Sequence, residues 1–284
     1  MTSADDYRRE QSELWNGDMG KTWVEIQGFI DRLLKPFETL LVDAARAAKT
    51  HASARVLDIG CGNGTTTFAL SRALGPGAAC TGIDLSRPMI ENAQRQARET
   101  GEDITFLCDD ASLHPFADKQ FDLLASRFGV MFFADPLTAF SRLRQAARDD
   151  ASLAFVVWRT AEENNFMTAA ARAVAPLLPP LPPRDAGAPG PFSLGDQDHT
   201  RALLEAAGWR NLTFDAHTVP CTFPAKDLPL FASRLAPTGH DLSSLSPDLH
   251  TEITQTILAA YTPYRVGDSI QFIGRCWLVR TDAQ

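Results

Sequence analysis

The sequence predicts an α/β protein with a doubly wound, mainly parallel sheet, and three observations lead to that prediction. Short, almost continuously apolar segments alternate with helical patterns, as is typical of parallel strands buried on both faces. A glycine-rich turn joins the first such segment to the first helix of this alternation. The later helices begin or end at recognisable caps. Strands are expected at 56–59, 78–83, 104–107, 121–125, 153–158, 212–219 and 269–279, the last antiparallel beside the sixth.

The composition limits which partners and sites the chain can support. The 284 residues carry a net charge of −8 without a cluster of Lys and Arg, so we expect a small-molecule partner and no nucleic acid. The five cysteines are scattered and include no C-x-x-C pair, which disfavours a zinc site or a disulfide framework. The polar first residues do not read as a signal peptide, and no apolar run reaches membrane-spanning length. We therefore expect a cytoplasmic monomer or homodimer that uses no metal and no membrane.

Residues 1–50 are expected to form an N-terminal helical cap. Apolar residues recur at helical spacing from Trp23 to Ala48, with a bend expected at Pro36. Trp23 is interpreted as a core residue, whereas Trp15 is the better candidate for covering a ligand.

The first strand, the turn after it and the second strand form the unit that organises the rest of the chain. Gly60, Gly62 and Gly64 alternate in the turn, where the lack of a Cβ permits a tight bend and close approach to a ligand. A helix over 65–74 follows, and the free N–H groups at its start favour an anionic group on that ligand. Asp84 ends the second strand, where its carboxylate can accept hydrogen bonds from ribose hydroxyls.

Three other readings of this turn stay open as alternatives. A dinucleotide-binding turn has the spacing G-x-G-x-x-G, whose third glycine falls where this chain has Thr65, so an NAD-binding oxidoreductase is disfavoured. A phosphate-binding loop needs a Lys-Ser/Thr pair after its last glycine, and the turn has none. The third alternative is a coincidental glycine turn in an ordinary doubly wound domain.

The segment VLDIGCGNG, followed by GIDLS, resembles the first two motifs of class I S-adenosylmethionine (SAM)-dependent methyltransferases, in the branch that includes the ubiquinone-biosynthesis C-methyltransferases. The resemblance continues in the same order through FLCDDA, Pro115–Phe116 and FDLLASRFGVMFF, and it covers about residues 15–215. It implies a seven-stranded Rossmann-like methyltransferase fold, SAM as the cofactor and S-adenosylhomocysteine (SAH) as the cofactor product.

The resemblance also implies which residues bind the cofactor. Backbone groups of Gly60–Gly64 suit the methionine part and Asp84 suits the ribose, while Asp110 and the Ala111 N–H suit the adenine. Asp58 is expected either to serve the ammonium group or to hold the turn. The predicted cofactor-binding set is Asp58, Gly60, Cys61, Gly62, Gly64, Asp84, Leu85, Met89, Asp110, Ala111, Arg127 and Trp15.

Three members of this set have a second interpretation. Leu85 and Met89 either touch the adenine or pack in the core. Arg127 offers its carbonyl to the ammonium group or, alternatively, its side chain to an anion on the substrate. Asp109 is expected to face differently from Asp110, its neighbour in sequence.

The remaining segments are expected to surround a SAM-binding core at 51–160. A proline-rich lid loop is predicted at 161–200, because the seven prolines at 176–191 cannot complete a regular backbone hydrogen-bonding pattern. A passive linker is the alternative. Residues 201–284 complete the sheet and carry a helical insertion near 225–262.

The substrate side of the site is less defined by the sequence. Aromatic side chains at strand ends, beside the proline-rich loop and in the insertion are candidates to contact a flat substrate or the sulfonium. This predicted substrate set is Phe128, Trp158, Phe192, Tyr261, Tyr264 and Arg265. No side chain stands out as a general base, so the catalytic residue is not assigned. The tetrapeptide Ser126–Gly129 replaces the Asp/Asn-Pro-Pro-aromatic motif of nucleic-acid amino-methyltransferases and the carboxylates of magnesium-dependent catechol enzymes.

The sequence therefore predicts a SAM-dependent methyltransferase that acts on oxygen, nitrogen or carbon of a small, partly apolar or aromatic molecule. Two alternatives stay open: an enzyme on the same fold that uses SAM without methyl transfer, and a SAM-binding protein without enzymatic activity.

Overall fold

An open sheet forms the centre of the molecule, which a computed structural model describes over residues 3–48, 51–180, 188–236 and 245–281. Its strands are β1 (Arg55–Ile59), β2 (Ala79–Asp84), β3 (Ile104–Cys108), β4 (Phe121–Arg127), β5 (Ala147–Trp158), β6 (Leu212–Pro224), β7 (Arg265–Val266) and β8 (Ser269–Thr281). The order across the sheet is β3-β2-β1-β4-β5-β8-β6, and the two-residue β7 pairs with β8. Strands β1 to β5 are parallel, whereas β8 is antiparallel to β5 and β6. The predicted fold class is confirmed, as is the antiparallel last strand. The short strand β7 is not among the seven strands that the sequence predicts.

The strand order places a crevice at the carboxyl ends of the middle strands. Strand β1 has β2 on one side and β4 on the other, so the connections that leave β1 and β3 run in opposite directions across the sheet. The middle of the sheet is fully buried, as Leu57, Leu124 and Phe155 show. In open α/β sheets, ligands bind beyond the carboxyl ends of the strands where the order reverses. Here that point lies between Ile59 and Arg127.

Helices cover both faces of the sheet, and short polar side chains begin several of them. Asp135, Asp196 and Ser246 each accept a hydrogen bond from a backbone N–H of the first turn, which satisfies a donor that the helix itself leaves free. The helices are α1 (Ala4–Asn16), α2 (Asp18–Glu25), α3 (Gln27–Ala47), α4 (Thr65–Leu74), α5 (Arg87–Thr100), α6 (Pro136–Ala146), α7 (Asn165–Val174), α8 (Gln197–Ala206), α9 (Leu228–Arg234) and α10 (Pro247–Ala260). Among the described residues, no helix combines the length and the apolar character that crossing a membrane requires.

The N-terminal cap consists of three helices, of which the third belongs to the core. Helix α3 buries an apolar face that includes Phe29, Leu33 and Phe37. The helical pattern is interrupted at Gly17 and at Ile26, and α3 continues through Pro36, where the sequence predicts a bend. The first two helices carry few buried side chains and instead cross the mouth of the crevice described below.

The segment predicted as a proline-rich lid loop differs from the prediction. Residues 165–174 form α7, whose buried side chains include Phe166, Ala170 and Val174. The helical spacing of these apolar residues precedes the prolines, so the segment folds onto the core before the backbone becomes proline-rich. The central prolines fall in 181–187, outside the described residues, and part of the late insertion falls in 237–244, likewise outside them. The described part of that insertion is helical at α9 and α10, as predicted.

Candidate functional site

A cavity of about 580 Å³ opens at the carboxyl ends of β1 to β5. This volume falls within the range of small-molecule and cofactor sites. Its lining divides into two parts, which we call the polar half and the aromatic half. The polar half consists of the residues that follow β1, β2 and β3, from Gly60 to Ala111. The aromatic half comes from α3, the ends of β4 and β5, α7, the insertion and the β6–β8 hairpin.

The turn after β1 brings backbone against backbone at the floor of the polar half. Gly60 has φ +67°, and a Cβ built on it would lie 2.6 Å from the Gly129 Cα. A side chain at this position would therefore collide with the loop that follows β4. The N–H groups of Gly60 and Cys61 both donate to the Ile83 carbonyl, at 2.9 Å and 3.1 Å, which ties the turn to the end of β2. Gly60, Cys61 and Gly62 line the cavity.

Two residues of the predicted cofactor set lie behind this turn instead of on the cavity. A Cβ on Gly64 would lie 2.7 Å from the Phe106 ring, so this glycine makes room for packing against β3. Asp58 is fully buried beneath the turn, and its Oδ2 accepts a hydrogen bond of 2.6 Å from the Thr67 hydroxyl. Of the two roles considered for Asp58, the geometry favours holding the turn, because Thr67 belongs to α4.

Burial raises the pKa of Asp58 to about 7, although the Thr67 hydroxyl bond and the Arg127 charge oppose that rise. The second carboxyl oxygen, Oδ1, is buried and has no hydrogen-bond partner among the described residues. A carboxyl group in this setting holds its proton at a higher pH than an exposed aspartate does.

Asp84 ends β2 as a fixed carboxylate on the cavity wall. Its Oδ2 accepts from the Gly62 N–H and its Oδ1 from the Ser86 N–H, both at 2.8 Å. Burial raises the pKa of Asp84, and these backbone hydrogen bonds oppose the rise. Leu85 and Met89 lie beside it on the cavity. The carboxylate is thus oriented before any ligand arrives, with its position set by the glycine turn itself.

The residues after β3 complete the polar half. Asp110 accepts from the Ser112 N–H at 2.8 Å and from the Ser112 hydroxyl at 2.6 Å, which fixes its side chain in a local turn. Asp109 lies 2.7 Å from Nδ1 of His114. Asp109, Asp110 and Ala111 all line the cavity, and the two carboxylates bond to different partners, His114 for Asp109 and Ser112 for Asp110.

Trp15, in helix α1 of the N-terminal cap, lies at the mouth of the cavity. Its ring packs edge-on against Trp23 at 5.7 Å and against Phe132 at 6.0 Å. The Ser86 hydroxyl donates to the Trp15 carbonyl at 2.7 Å. Ser86 precedes α5, but its side chain makes no capping bond because the hydroxyl is used to fasten α1. Both Trp15 and Trp23 line the cavity.

The aromatic half is built on a stacked pair at the ends of β4 and β5. The Phe128 and Trp158 rings lie 4.3 Å apart at an interplanar angle of 11°. Phe128 has φ +64°, a strained conformation for a bulky residue, and the buried stack compensates for it. The wall continues through Phe166, which packs edge-on against Trp158 at 5.9 Å and stacks on Phe272 at 4.0 Å.

Three of the six predicted substrate residues do not line the cavity. Phe192 packs against the core from another side, and Tyr264 lies behind Tyr261 and Phe272. Arg265 is exposed on β7 and donates to the Gly267 carbonyl of its own hairpin. Closeness in sequence to a site-lining residue does not determine which way a neighbour faces, and these three face elsewhere.

Tyr261 lines the cavity but is fully buried. Its hydroxyl donates to the Phe166 carbonyl at 3.0 Å, so the proton is engaged in joining α10 to α7. Burial raises the pKa of Tyr261. A phenol held in this way remains protonated, so Tyr261 shapes the cavity and does not act as a base.

Several lining residues do not belong to either predicted set. They come from one face of α3, from α7, from α9 and from β8, and include Ile30, Asp31, Leu34, Met167, Phe231 and Phe272. The helical spacing of the α3 residues is visible in the sequence, but it is the same pattern that a purely structural helix shows. The register of β8 against β6, which places Phe272, is a tertiary property.

Arg127 ends β4 and lines the cavity between the two halves. Its guanidinium forms no hydrogen bond or ion pair with any of the described residues, and its Nη1 is buried. Burial lowers the pKa of Arg127, while the charges of Asp31, Glu38 and Asp58 act in the opposite direction. An arginine in this position is a cation whose donors are left free.

No cluster of His, Cys, Asp or Glu within the described ranges has an arrangement that could hold a metal ion. The polar groups of the cavity include carboxylates, backbone amides, side-chain amides, hydroxyls and arginines. They suit an organic ligand that carries both hydroxyl and charged groups.

Comparison with known proteins shows a similarity that is concentrated in the central part of the chain. Residues 56–150, from β1 into β5, match the family model described as a methyltransferase domain. Aklanonic acid methyltransferase DauC from Streptomyces sp. (strain C5) is 34% identical over 102 residues, which cover 36% of this chain and 46% of that relative. A demethylmenaquinone methyltransferase from Staphylococcus aureus (strain JH9) is 34% identical over 94 residues, which cover 33% of this chain and 39% of the relative.

The chain thus spans less than half the length of these curated relatives in the alignments. Among solved structures, the YcgJ protein of Bacillus subtilis superposes with a TM-score of 0.57 at 20% identity, covering 86% of this chain and 98% of that one. This likeness shows the fold over most of the chain, and the match to the family model is confined to residues 56–150.

Proposed function

We propose that this chain, which carries the methyltransferase domain at residues 56–150, is a class I SAM-dependent methyltransferase. Its acceptor is a small, partly apolar or aromatic molecule that is methylated on oxygen, nitrogen or carbon. One observation carries the proposal: a single cavity joins the polar half, suited to the cofactor, to an aromatic half with room for a second molecule. The names of the two relatives, which are methyltransferases of aklanonic acid and demethylmenaquinone, support a small-molecule acceptor.

The polar half fits the parts of SAM one by one. The pre-oriented Asp84 carboxylate suits the ribose hydroxyls, since one free lone pair remains on each oxygen after the two backbone bonds. Asp110 and Ala111 suit the adenine, with Leu85 and Met89 against its faces. The Gly60–Gly62 backbone leaves space for the methionine part, because a Cβ on Gly62 would meet only the Met89 sulfur, at 3.5 Å.

SAM supplies a methyl group that its sulfonium charge already activates. The contribution of this chain is to align the acceptor and to exclude water, and alignment alone can be worth roughly 7–11 kcal/mol of the barrier. The stacked Phe128 and Trp158 rings hold a flat acceptor in place. Trp15 and Trp23 cover the mouth of the cavity and keep solvent out.

We assign no general base. Tyr261 is the hydroxyl group deepest in the aromatic half, and its proton is bound to the Phe166 carbonyl. The Cys221 thiol also lines the cavity, but burial raises its pKa to about 12, so it remains protonated near neutral pH. The proposal is therefore catalysis by alignment of an acceptor that is nucleophilic without proton transfer to a side chain.

The proposal extends to the setting of the reaction. We infer that the protein works in the cytoplasm as a monomer or homodimer, with no nucleic-acid or membrane partner, as its composition predicts. Size-exclusion chromatography with light scattering tests the oligomeric state.

Calorimetry with SAM, SAH and NAD, followed by an assay of SAH release, tests the function. We expect SAM and SAH to bind and NAD not to bind, and we expect SAH to accumulate when SAM is mixed with a suitable aromatic acceptor. Binding of NAD without SAM would contradict the assignment. Mass spectrometry of the acceptor separates methyl transfer from a reaction that uses SAM in another way, because only methyl transfer adds a methyl group to the acceptor.

A further inference from the structure

The proposed cofactor site does not use the Arg127 guanidinium, which lines the same cavity. The guanidinium donates no hydrogen bond and pairs with no carboxylate among the described residues. Other arginines that line the cavity are paired with carboxylates: Arg234 with Glu25, and Arg8 through its Nη1 with Asp5, although the Arg8 Nε is also buried without a partner. Arg127 is thus a cation that the fold has placed in a cavity and left without a partner.

Leaving a guanidinium in this position is costly. Arg127 as a whole is half-buried, but its Nη1 is buried, and a buried donor without a hydrogen-bonding partner loses its hydration without compensation. Three carboxylates lie near enough to favour the charged form, yet none comes within 4.0 Å in the described residues, and each has a bond elsewhere. Asp31 accepts from the Thr65 hydroxyl, Glu38 pairs with Lys35, and Asp58 accepts from the Thr67 hydroxyl. The arrangement keeps Arg127 charged and leaves its donors available.

The position of Arg127 in the sheet indicates what those donors bind. The groups proposed for the cofactor end β1, β2 and β3, whereas Arg127 and Phe128 end β4, and Trp158 ends β5. Arg127 therefore stands on the acceptor side of β1, one residue from the aromatic stack. A molecule that lies on that stack presents its edge to the guanidinium.

We propose that Arg127 binds an acidic oxygen of the acceptor, and that the acceptor is accordingly an aromatic acid, with a carboxylate or an ionised hydroxyl next to its ring system. This inference rests on the proposed function, because it names the substrate class of the same site. A planar guanidinium matches a carboxylate in a two-bond, charge-assisted geometry, and the water-excluded surroundings strengthen that pair. Arg127 is thus a specificity-determining residue, and neutral aromatic molecules of equal size bind more weakly.

The test uses the SAH-loaded protein and two probes of the same shape, naphthoate and its neutral amide. Calorimetry on the wild type should show a clear preference for the acid. In Arg127→Met the preference should disappear, with a loss of about 30-fold or more in naphthoate affinity, which is the size expected when one partner of a buried charge pair is truncated. Arg280→Met, which removes an arginine that is paired with Asp215 outside the cavity, should keep the preference.

Two results would overturn the inference. One is a wild type that does not prefer the acid, including a wild type that binds neither probe. The other is an Arg127→Met variant that binds SAH more weakly but binds the decarboxylated analogue of SAH as the wild type does. That pattern would assign the guanidinium to the carboxylate of the cofactor.

Failure of the proposed function looks different, because it appears before any acceptor probe is added: the wild type would then bind no SAH at all. The comparison of the two probes on the wild type needs no variant, so it holds even if Arg127→Met does not fold.

Discussion

The two halves of the cavity are built in different ways. The polar half comes from a continuous stretch between Gly60 and Ala111, and its carboxylates are fixed by hydrogen bonds to nearby backbone. The aromatic half draws on residues from Ile30 to Phe272, far apart in the chain, and rings packed against rings hold it together. Local chain geometry thus defines the first half, and tertiary packing defines the second.

This difference separates the expected effects of substitutions. Changes in the polar half alter backbone positions and carboxylates, and should act on cofactor affinity and on the stability of the turn. Changes in the aromatic half alter packed side chains, and should act on the acceptor while cofactor affinity stays the same. The following predictions test this separation, beginning with the largest expected effect.

The acid beneath the polar half should make stability depend on pH. Burial raises the pKa of Asp58 to about 7 in the native state, above its value in the unfolded chain. At a pH between these two pKa values, the native state therefore binds more protons than the unfolded state. The free energy of unfolding should therefore fall as pH rises from about 4 to about 7, by an amount on the order of 4 kcal/mol for this group.

Urea unfolding of the wild type and Asp58→Asn across this pH range measures the effect. The variant should lose much less stability between the two ends of the range, because the amide does not titrate. If the free energy of unfolding falls equally with pH in the two proteins, Asp58 is not the group that makes stability depend on pH.

Asp84→Ala should weaken SAM binding by roughly 2–5 kcal/mol, the cost of removing a buried charged contact. The variant should still fold, since the carboxylate lies at a strand tip. Asp122→Ala is a matched control, because Asp122 also accepts from a backbone N–H, that of Arg55, but does not line the cavity. Calorimetry should give wild-type SAM affinity for the control, and wild-type affinity for Asp84→Ala would remove this residue from the site.

The close approach of the turn to the loop after β4 should appear as a difference between two glycines. Gly60→Ala and Gly101→Ala both place a side chain at φ +67°, but only the first meets backbone, at 2.6 Å from the Gly129 Cα, whereas Gly101 has open space. Both substitutions should lower the free energy of unfolding by about 1–2 kcal/mol, because a residue with a Cβ is strained in this backbone conformation. Gly60→Ala should be less stable in denaturant unfolding by a clear further margin, and equal losses would mean that the contact is easily relaxed.

The smallest predicted effect belongs to the aromatic half. The stacked pair Phe128 and Trp158 should show a coupling energy of about 0.5–1.5 kcal/mol in a double-mutant cycle with leucine at each position. Cofactor affinity should be unchanged in all three variants. A weaker affinity for SAM in Phe128→Leu would show that the two halves are not separable.

The sequence predicted the polar half well because its features are local. A strand, a glycine turn and an acid at the next strand end are visible in one short stretch, and Gly62 and Asp84 do lie on the cavity as expected. Asp58 and Gly64 belong to the same motif, but the pattern does not reveal which of its residues face the ligand and which support the turn.

The aromatic half could be predicted only in part. Phe128 and Trp158 were placed by their position at strand ends, which fixes where a side chain lies. Tyr264 and Arg265 were placed by their closeness to Tyr261 in the chain, and closeness does not fix direction. Helix α7 was hidden by the prolines that follow it, although its own residues have helical spacing.

A crystal structure of the protein with SAH bound would test the central claim most directly, because it shows which half holds the cofactor. The account predicts ribose hydroxyls within hydrogen-bonding distance of Asp84, adenine beside Asp110 and Ala111, and the sulfur atom facing the Phe128–Trp158 stack. A nucleoside lodged among the aromatic side chains, or outside the cavity altogether, would contradict it.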